Sequence, residues 1–330
     1  MARFEFRREG RVWLEDTTVS PSQYYLLHTT RDVTFSQTFK QKSVERRNLH
    51  ERTKFVEGSS ITEANPADFS FTIYMIDGEF GFEHQHKPLN FLLNTNSTTE
   101  GIDSFNLYFV YSDYSPEAYY KLEKCVFTSG SFKIPRNGLM TVELSGTASK
   151  LDRREASFAT TELGNQSGTY LSDYTLNPVF AVSKEFIVEF KPLLSYEEQD
   201  RILGASIEVQ NNIDWTPNST LQESLSASTL SELNTIYPGN YVLKGKSVGG
   251  SIQQYTDSGI LNQGFGGTQN YVQSWRNMDI RIYAGLASNN IQLYATFPDA
   301  RFTTRTNFGE VFTQNYDFRA IEDTSTFVYQ

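Results

Sequence analysis

CVFTSGSFKIPRNGLMTVELSGTAS, residues Cys125–Ser149, is written a second time near the end of the chain as ATFPDARFTTRTNFGEVFTQNYDFR, Ala295–Arg319. At one offset Phe127 meets Phe297, Phe132 meets Phe302 and Asn137 meets Asn307 (297 − 127 = 170). Each copy reads as a strand, a short polar turn and a second, alternating strand. The turns centre on Asn137-Gly138 and Asn307-Phe308-Gly309, residue types that tolerate φ > 0 in hairpins. In the returning strands Val142 and Leu144 share the parity of Phe312, which keeps one buried face in step.

A second echo sets Asp32–Lys40, DVTFSQTFK, on Ser183–Lys191, SKEFIVEFK, with Phe35 on Phe186 and Phe39 on Phe190 (186 − 35 = 151). The same offset places Asn65-Pro66 on Thr216-Pro217. Two echoes in the same order predict two homologous domains, 1–150 and 178–330, joined by a polar linker over 151–177. Chance similarity between two β-rich halves is the competing explanation.

Composition agrees with a β architecture of that size. The 330 residues suffice for roughly two ordinary domains. The 19 Tyr and 25 Phe suit strands, where broad rings pack across a pleated face. A single cysteine, Cys125, excludes an internal disulfide framework and a multi-cysteine zinc site, and fits folding in a reducing cytoplasm. MARFEFRREG carries charges where a signal peptide needs an apolar core, and no stretch reaches the ~20 apolar residues of a membrane helix. The net charge of −10 argues against a tight grip on nucleic acid. It is compatible with DNA that slides past a surface without sticking.

Along the chain, Gln23–His28, Arg31–Phe39, Asp68–Ile76, Phe105–Tyr111, Ile207–Trp215 and Met278–Tyr283 read as strands, and Tyr241–Tyr255 as a Gly-rich strand pair. Helices are expected at Ser115–Lys124, where Ser115 caps and Pro116 opens, at Ser195-Tyr-Glu-Glu, and over Thr220–Ile236. Asp77–Gly101 and Ile252–Gln273 read as long polar connections. Lys40–Lys54 is the most basic segment, with Lys40, Lys42, Arg46, Arg47, Arg52 and Lys54 on a hairpin or loop between strands. A solvated loop, pairing with an acidic patch on a neighbouring subunit, and nucleic-acid contact are its three readings.

Motifs that carry chemistry are scarce. His84-Gln-His86 could share one face of a strand, but no third ligand stands at a persuasive spacing. Gly245-Lys246-Ser247 lacks the upstream glycine and the following helix of a phosphate loop, and Gly264-Phe-Gly-Gly lacks a strand-to-helix context. His28 and His50 fall on an arm and a basic loop, poor places to hold catalytic geometry. No enzyme, metal or cofactor is expected. Asn96, Asn165 and Asn218 match glycan acceptors, without a secretion signal to make use of them.

These parts together resemble phage tail tube proteins, of the kind in which one polypeptide carries two tandem tube domains. The resemblance rests on the strands ending Phe39-Lys40 and Phe190-Lys191, the charged hairpin after the first, the Asn65-Pro66 and Thr216-Pro217 turns, a helix beside each sheet, and the twin closing hairpins. It implies a mainly β fold: two tandem tail-tube-like β-sandwich domains, each with a flanking α-helix, whose inward strands form a shared β-barrel on assembly. It further implies trimeric, pseudo-hexameric rings stacked into a tube, and a virion tail assembled in the bacterial host cytoplasm. Double-stranded DNA would pass through the lumen without specific binding. Implied partners are further copies of the chain, a tape-measure protein, a tail terminator and baseplate or tail-tip proteins, with no membrane.

On that reading the polar alternates Thr34, Ser36 and Thr38, Thr141 and Glu143, Glu185 and Glu189, and Thr313 and Asn315 line the channel, and the basic hairpin stacks rings. Ile187, at the parity of Glu185 and Glu189, sits badly with an aqueous channel. Two alternatives remain. One is a hub, terminator or baseplate ring of the same fold. The other is a carbohydrate-binding β-sandwich using Trp13, Trp215 and Trp275 as stacking platforms.

Overall fold

The computed structural model describes residues 10–46, 55–76, 86–93, 101–112, 118–163, 170–171, 180, 185–191, 195–199, 201–217, 236–255, 278–285, 291–308, 312–320 and 326–329. The first half contains β1 (Arg11–Asp16), β2 (Gln23–Leu27), β3 (Thr29–Ser36), β4 (Phe39–Arg46), β5 (Phe55–Ala64) and β6 (Ala67–Tyr74). These are followed by α1 (Lys87–Leu93), β7 (Phe105–Ser112), β8 (Ala118–Pro135), β9 (Thr141–Ala148) and β10 (Lys150–Arg154). A π-helical turn, Ala159–Leu163, and the short β11 (Tyr170–Leu171) lead onward. The second half holds β12 (Glu185–Lys191), β13 (Glu197–Glu198), β14 (Ile202–Pro217), β15 (Pro238–Tyr255), β16 (Met278–Gly285), β17 (Ile291–Phe308), β18 (Phe312–Arg319) and β19 (Thr326–Tyr329). The fold is mainly β and antiparallel, as the alternating aromatic and polar residues demand.

Each half packs two sheet layers, and one long strand serves both. In the first half β8 pairs with β7 and β10 up to Cys125, then with β9 from Val126 onward. In the second, β17 pairs with β16 and β19 up to Ala300, then with β18 from Arg301. The strand turns the corner at a non-glycine residue held at positive φ, Lys124 at 57° and Asp299 at 49°. Both corners are held the same way. The Lys124 N–H donates to Asn106 Oδ1 at 2.9 Å, and the Asp299 N–H to Asp279 Oδ1 at 3.2 Å, from the second residue of β7 and of β16. A side-chain acceptor that replaces a lost ladder partner makes the left-handed bulge tolerable.

The correspondence extends through the halves. β2–β1–β7–β8–β10 is one layer, and β13–β12–β16–β17–β19 repeats its order. β3–β6–β9–β8 is the other layer, repeated as β14–β15–β18–β17. β4 and β5 continue β3 and β6 as a two-stranded ribbon, and the distal parts of β14 and β15 do the same without a break. The ribbons are irregular at matching places. Register shifts fall at Lys40/Gln41 and Val44/Glu45 in one and at Asn212/Ile213 and Thr216/Pro217 in the other (212 − 40 = 172; 216 − 44 = 172). Thr34 and Ser70 hydroxyls bond at 2.7 Å, and their counterparts Ser206 and Ser251 at 2.8 Å.

Several sequence expectations are corrected by this geometry. Of the expected helix at Ser115–Lys124, residues 118–124 are strand. Tyr119 and Leu122 are buried in β8, which is paired on both edges, and that burial outweighs a local capping signal. Ser195-Tyr-Glu-Glu leads into β13, not a helix. The Gly-rich pair over Tyr241–Tyr255 is one strand, β15. Asp77–Gly101 contains the helix that the sequence did not announce, α1, with Leu89 and Leu92 fully buried. Positions 220–235 of the third expected helix lie outside the described residues.

The echoes also shift. With the corners superposed (299 − 124 = 175), Phe127 corresponds to Phe302, not Phe297. The counterpart of β3 is β14, not β12, which pairs with β13 and β16. Asn65-Pro66 separates β5 from β6, whereas Thr216-Pro217 closes β14, so the two turns are not equivalent.

One pair of positions is solved in opposite senses. Phe69 in β6 faces Gly146 in β9, while Gly250 in β15 faces Phe318 in β18. Each ring lies over the glycine. A Cβ would stand 2.4 Å from the Phe69 ring at Gly146, and 2.7 Å from the Phe318 ring at Gly250. Backbone oxygens are closer still, Val126 O at 2.3 Å and Ser206 O at 2.1 Å. Gly146→Ala and Gly250→Ala are therefore expected to destabilise by about 1–3 kcal/mol each through overpacking. Gly245→Ala is the control, with nothing within 4 Å of its Cβ. Denaturant midpoints for the three variants check this, and equal midpoints would refute the close approach.

Candidate assembly surface

The two halves are joined edge to edge. β8 pairs antiparallel with β14, setting Lys133 opposite Ser206, Phe132 opposite Ile207 and Ser131 opposite Glu208. One sheet thus runs β3–β6–β9–β8–β14–β15–β18–β17 through the whole chain. One of its faces is apolar, with Phe69, Phe71, Ile73, Phe127, Phe132, Val142, Leu144, Ile207 and Ile252 almost wholly buried. Leu92 of α1 packs there against Gly130, beneath the seam.

The opposite face is polar from one edge to the other. Cross-strand register lines up Thr34, Ser70, Ser145, Ser129 and Gln210 in one row. A second row holds Thr141, Lys133, Ser206, Ser251, Asp317 and Thr303. Charges on this face are balanced, Asp68, Glu143, Glu208 and Asp317 against Lys133, Arg301, Arg305 and Arg319. Two opposite-charge pairs are in contact, Lys133–Glu143 at 2.7 Å and Arg305–Asp317 at 3.3 Å.

Of the sequence candidates, Thr34, Ser36, Thr141, Glu143, Thr313 and Asn315 lie on this one face, and Thr38 follows just beyond β3, its hydroxyl accepting from Asn65 Nδ2 at 2.8 Å. Glu185 and Glu189 do not join them, because β12 belongs to the other layer. Glu189 there accepts a hydrogen bond from the Tyr283 hydroxyl at 3.2 Å and lies 3.8 Å from Arg281. Of the basic hairpin, Lys40 and Lys42 lie on β4, and Lys40 pairs with Glu63 across the ribbon at 2.8 Å. Arg46 ends β4, and Arg47, Arg52 and Lys54 lie outside the described residues.

The ribbon of the second half bends over the seam onto the first half. Trp215 Nε1 donates to Thr147 Oγ1 at 2.9 Å, the Tyr241 hydroxyl to the Ile102 carbonyl at 2.6 Å, and Lys246 Nζ to the Leu93 carbonyl at 2.5 Å. Lys124 reaches Asn240 Oδ1 at 2.9 Å, and burial lowers its pKa below the ordinary lysine value. Asn211, 3% exposed, donates to the carbonyls of Leu92 at 3.2 Å and Phe127 at 3.1 Å, tying α1, β8 and β14 together. Sequence reasoning missed this clasp, since its residues are far apart in the chain.

The segment after β10 is secured differently, on the first half. Phe158 inserts between Trp13, Tyr24, Tyr108 and Tyr119 on the outer face of the first layer, with ring centroids 5.1–6.5 Å apart. Glu162 accepts from the Tyr119 hydroxyl at 2.6 Å, and the buried Glu15 from the Tyr108 hydroxyl at 2.6 Å and Asn106 at 2.7 Å. Burial first, and the Glu15 charge second, push the Tyr108 phenol well above its ordinary value, so it remains a donor. Trp13 is thus enclosed and Trp215 committed to the clasp, so neither forms an open platform for a sugar. Trp275 lies outside the described residues.

Among the described residues no group of three or more His, Cys, Asp or Glu could hold a metal ion, and His86 is buried against the Ile76 carbonyl at 3.1 Å. What this sheet offers is a long polar face and, at its two ends, β3 and the distal half of β17, which pair on one side only among the described residues. An edge that is not paired or covered is a place where a further strand can add to a sheet.

The chain belongs to the Bacteriophage Baseplate Tube Protein Family, whose profile matches residues 2–329. Among solved structures it is similar to a chain of the cryo-EM structure of the anti-feeding prophage baseplate, determined with sixfold symmetrisation. That match has 8% identity and a TM-score of 0.32, and covers 47% of this chain and 97% of the other. No curated protein matches the sequence significantly.

Proposed function

We propose that the protein is a ring-forming subunit of the tube at the phage baseplate, in which three copies close a pseudo-sixfold ring around a channel. The observation that carries this reading is the single polar-faced sheet running through both halves, whose two end strands pair on one side only among the described residues. The matching strand orders, corners and bulges support an origin by tandem duplication, with domains at 1–150 and 178–330 joined by 151–177. Three such chains then supply six equivalent units. A lumen built from this face presents Thr34, Ser36, Thr38, Thr141, Glu143, Thr313 and Asn315, together with Ser131, Ser206, Glu208 and Ser251. Small hydroxyls and balanced charge offer DNA no positive track to grip, which suits passage without specific binding. Baseplate and tail proteins, including a tape-measure protein, are the partners this role requires, and the role is structural and not enzymatic.

Negative-stain electron microscopy of the purified chain, alone at high concentration and with baseplate components, tests the reading. Rings with a central hole, threefold on averaging and sixfold in pseudo-symmetry, are expected. Particles that stay solid and monomeric even with the baseplate components would overturn it.

A further inference from the structure

From the strand pairing we infer that the seam between the halves is repeated between copies. β3 of one chain pairs antiparallel with distal β17 of the next, and the β4–β5 ribbon clasps that neighbour within the same ring. The inference rests on the ring reading above and assigns its contact residues, and it gives the basic hairpin a role beside the ring plane in place of stacking one ring on another.

The argument is one of counterparts. At the internal seam the outer edge of β14 meets β8. The strand corresponding to β14 is β3, the strand corresponding to β8 is β17, and these two end the sheet, each paired on one side only among the described residues. Carrying the register across sets Asn307 opposite Thr34, as Lys133 is opposite Ser206, and Arg305 opposite Ser36, as Ser131 is opposite Glu208. Parity holds, since Thr34, Ser36, Arg305 and Asn307 are all exposed on the polar face. Charge also agrees. The β17 edge brings Arg301 and Arg305, and Asp68 lies directly across from Ser36 on the receiving side.

Two further observations on the β3 side point to a missing neighbour. Beneath this edge an apolar cleft of about 160 Å³ opens between Val12, Val33, Phe35, Phe109 and Tyr120. The corresponding position at the internal seam is covered by the pairing of Ile134 with Ala205, and the residue that corresponds to Ile134 is Phe308. The β4–β5 ribbon meanwhile leaves Phe39 and Ile61 39% and 49% exposed. Its counterpart, bulge for bulge, is the ribbon that carries Trp215 and Tyr241 across the internal seam. The tip of that ribbon brings Tyr237 to within 6.3 Å of Phe39, so repetition gives a head-to-tail belt of ribbons around the ring.

Disulfide trapping decides the register, because the one native thiol, Cys125, is fully buried and burial raises its pKa. Directly opposed antiparallel residues fall within disulfide range. Thr34→Cys with Asn307→Cys in one chain is expected to give covalent oligomers under mild oxidation, up to a closed trimer. Either single variant gives none, and Lys133→Cys with Ser206→Cys closes an internal bridge with no change in mass. Phe39→Asp with Ile61→Asp is expected to raise the concentration needed for ring formation at least tenfold while leaving the melting temperature of the monomer unchanged. Rings that form from the Thr34/Asn307 pair without cross-linking overturn the seam and leave the ring reading intact. Rings that assemble undisturbed from the Phe39/Ile61 variant overturn the clasp. Absence of rings from the unmodified protein with baseplate components is the separate failure of the ring reading itself.

Discussion

Asn211→Leu is expected to lower the stability of the chain by about 2–4 kcal/mol, the cost of leaving two buried carbonyls without donors. Its amide now serves Leu92 and Phe127 at once, so a single side chain secures α1, the corner region of β8 and β14 of the second half. Part of the cost is recovered, since Asn211 Oδ1 is itself buried without a partner among the described residues. Asn211→Asp is expected to be worse at neutral pH, because a carboxylate would face two carbonyl oxygens in a buried site. The sign with pH follows directly. Burial there raises the folded-state pKa of the new acid above its unfolded value, so the deficit is largest above the folded pKa and shrinks as pH falls through it. Urea unfolding of both variants between pH 7.5 and 5 checks the order and the slope. A leucine variant as stable as the parent would show that the seam does not depend on this tie.

Phe127→Ala is the second large effect, about 3–5 kcal/mol for a large ring removed from a packed core. Phe127 is fully buried, with ring centroids of Phe105 at 4.6 Å, Phe69 at 5.7 Å and Phe71 at 6.1 Å. Its counterpart Phe302 is only half-buried, packed on Phe190 at 5.5 Å and Phe318 at 6.4 Å beside the open β17 edge. Phe302→Ala should therefore cost the isolated chain less, about 1–2 kcal/mol on the scale of half-buried apolar area. If copies join at that edge, the same variant loses more in the assembled ring than in the monomer. Thermal melts of both variants, with and without assembly, measure the difference. Equal losses in the monomer would mean the two halves are equally complete on their own.

Several features could be read from residue order because they depend on near neighbours. The alternation in Asp68–Ile76, Phe105–Tyr111 and Thr141–Ala148 reports strands with one buried side, and the Asn137-Gly138 turn reports the hairpin between β8 and β9, with Asn137 at φ 57°. The polar alternates Thr34, Ser36, Thr141, Glu143, Thr313 and Asn315 were identifiable for the same reason. Glu185 and Glu189 obey the same alternation and lie elsewhere, because alternation distinguishes the two sides of a strand and says nothing of which sheet receives it. The Ser115–Lys124 segment misled in the opposite direction. Its capping residues favour a helix locally, and two pairing partners, β7 and β10, drawn from other parts of the chain, override them.

By itself the sequence determined a mainly β chain and the position of its two long hairpins. Only the tertiary structure decided which strands correspond, where each long strand turns its corner, and that the halves fuse through β8 and β14 into one sheet. The physical reason lies in the range of the interactions. A strand's two faces are set by residues two positions apart, whereas its neighbours are chosen by backbone hydrogen bonds to segments tens of residues away, stabilised only when whole apolar faces close together. Lys124 and Asp299 carry no glycine to announce a left-handed bulge, and what makes each possible is an acceptor on another strand, Asn106 or Asp279.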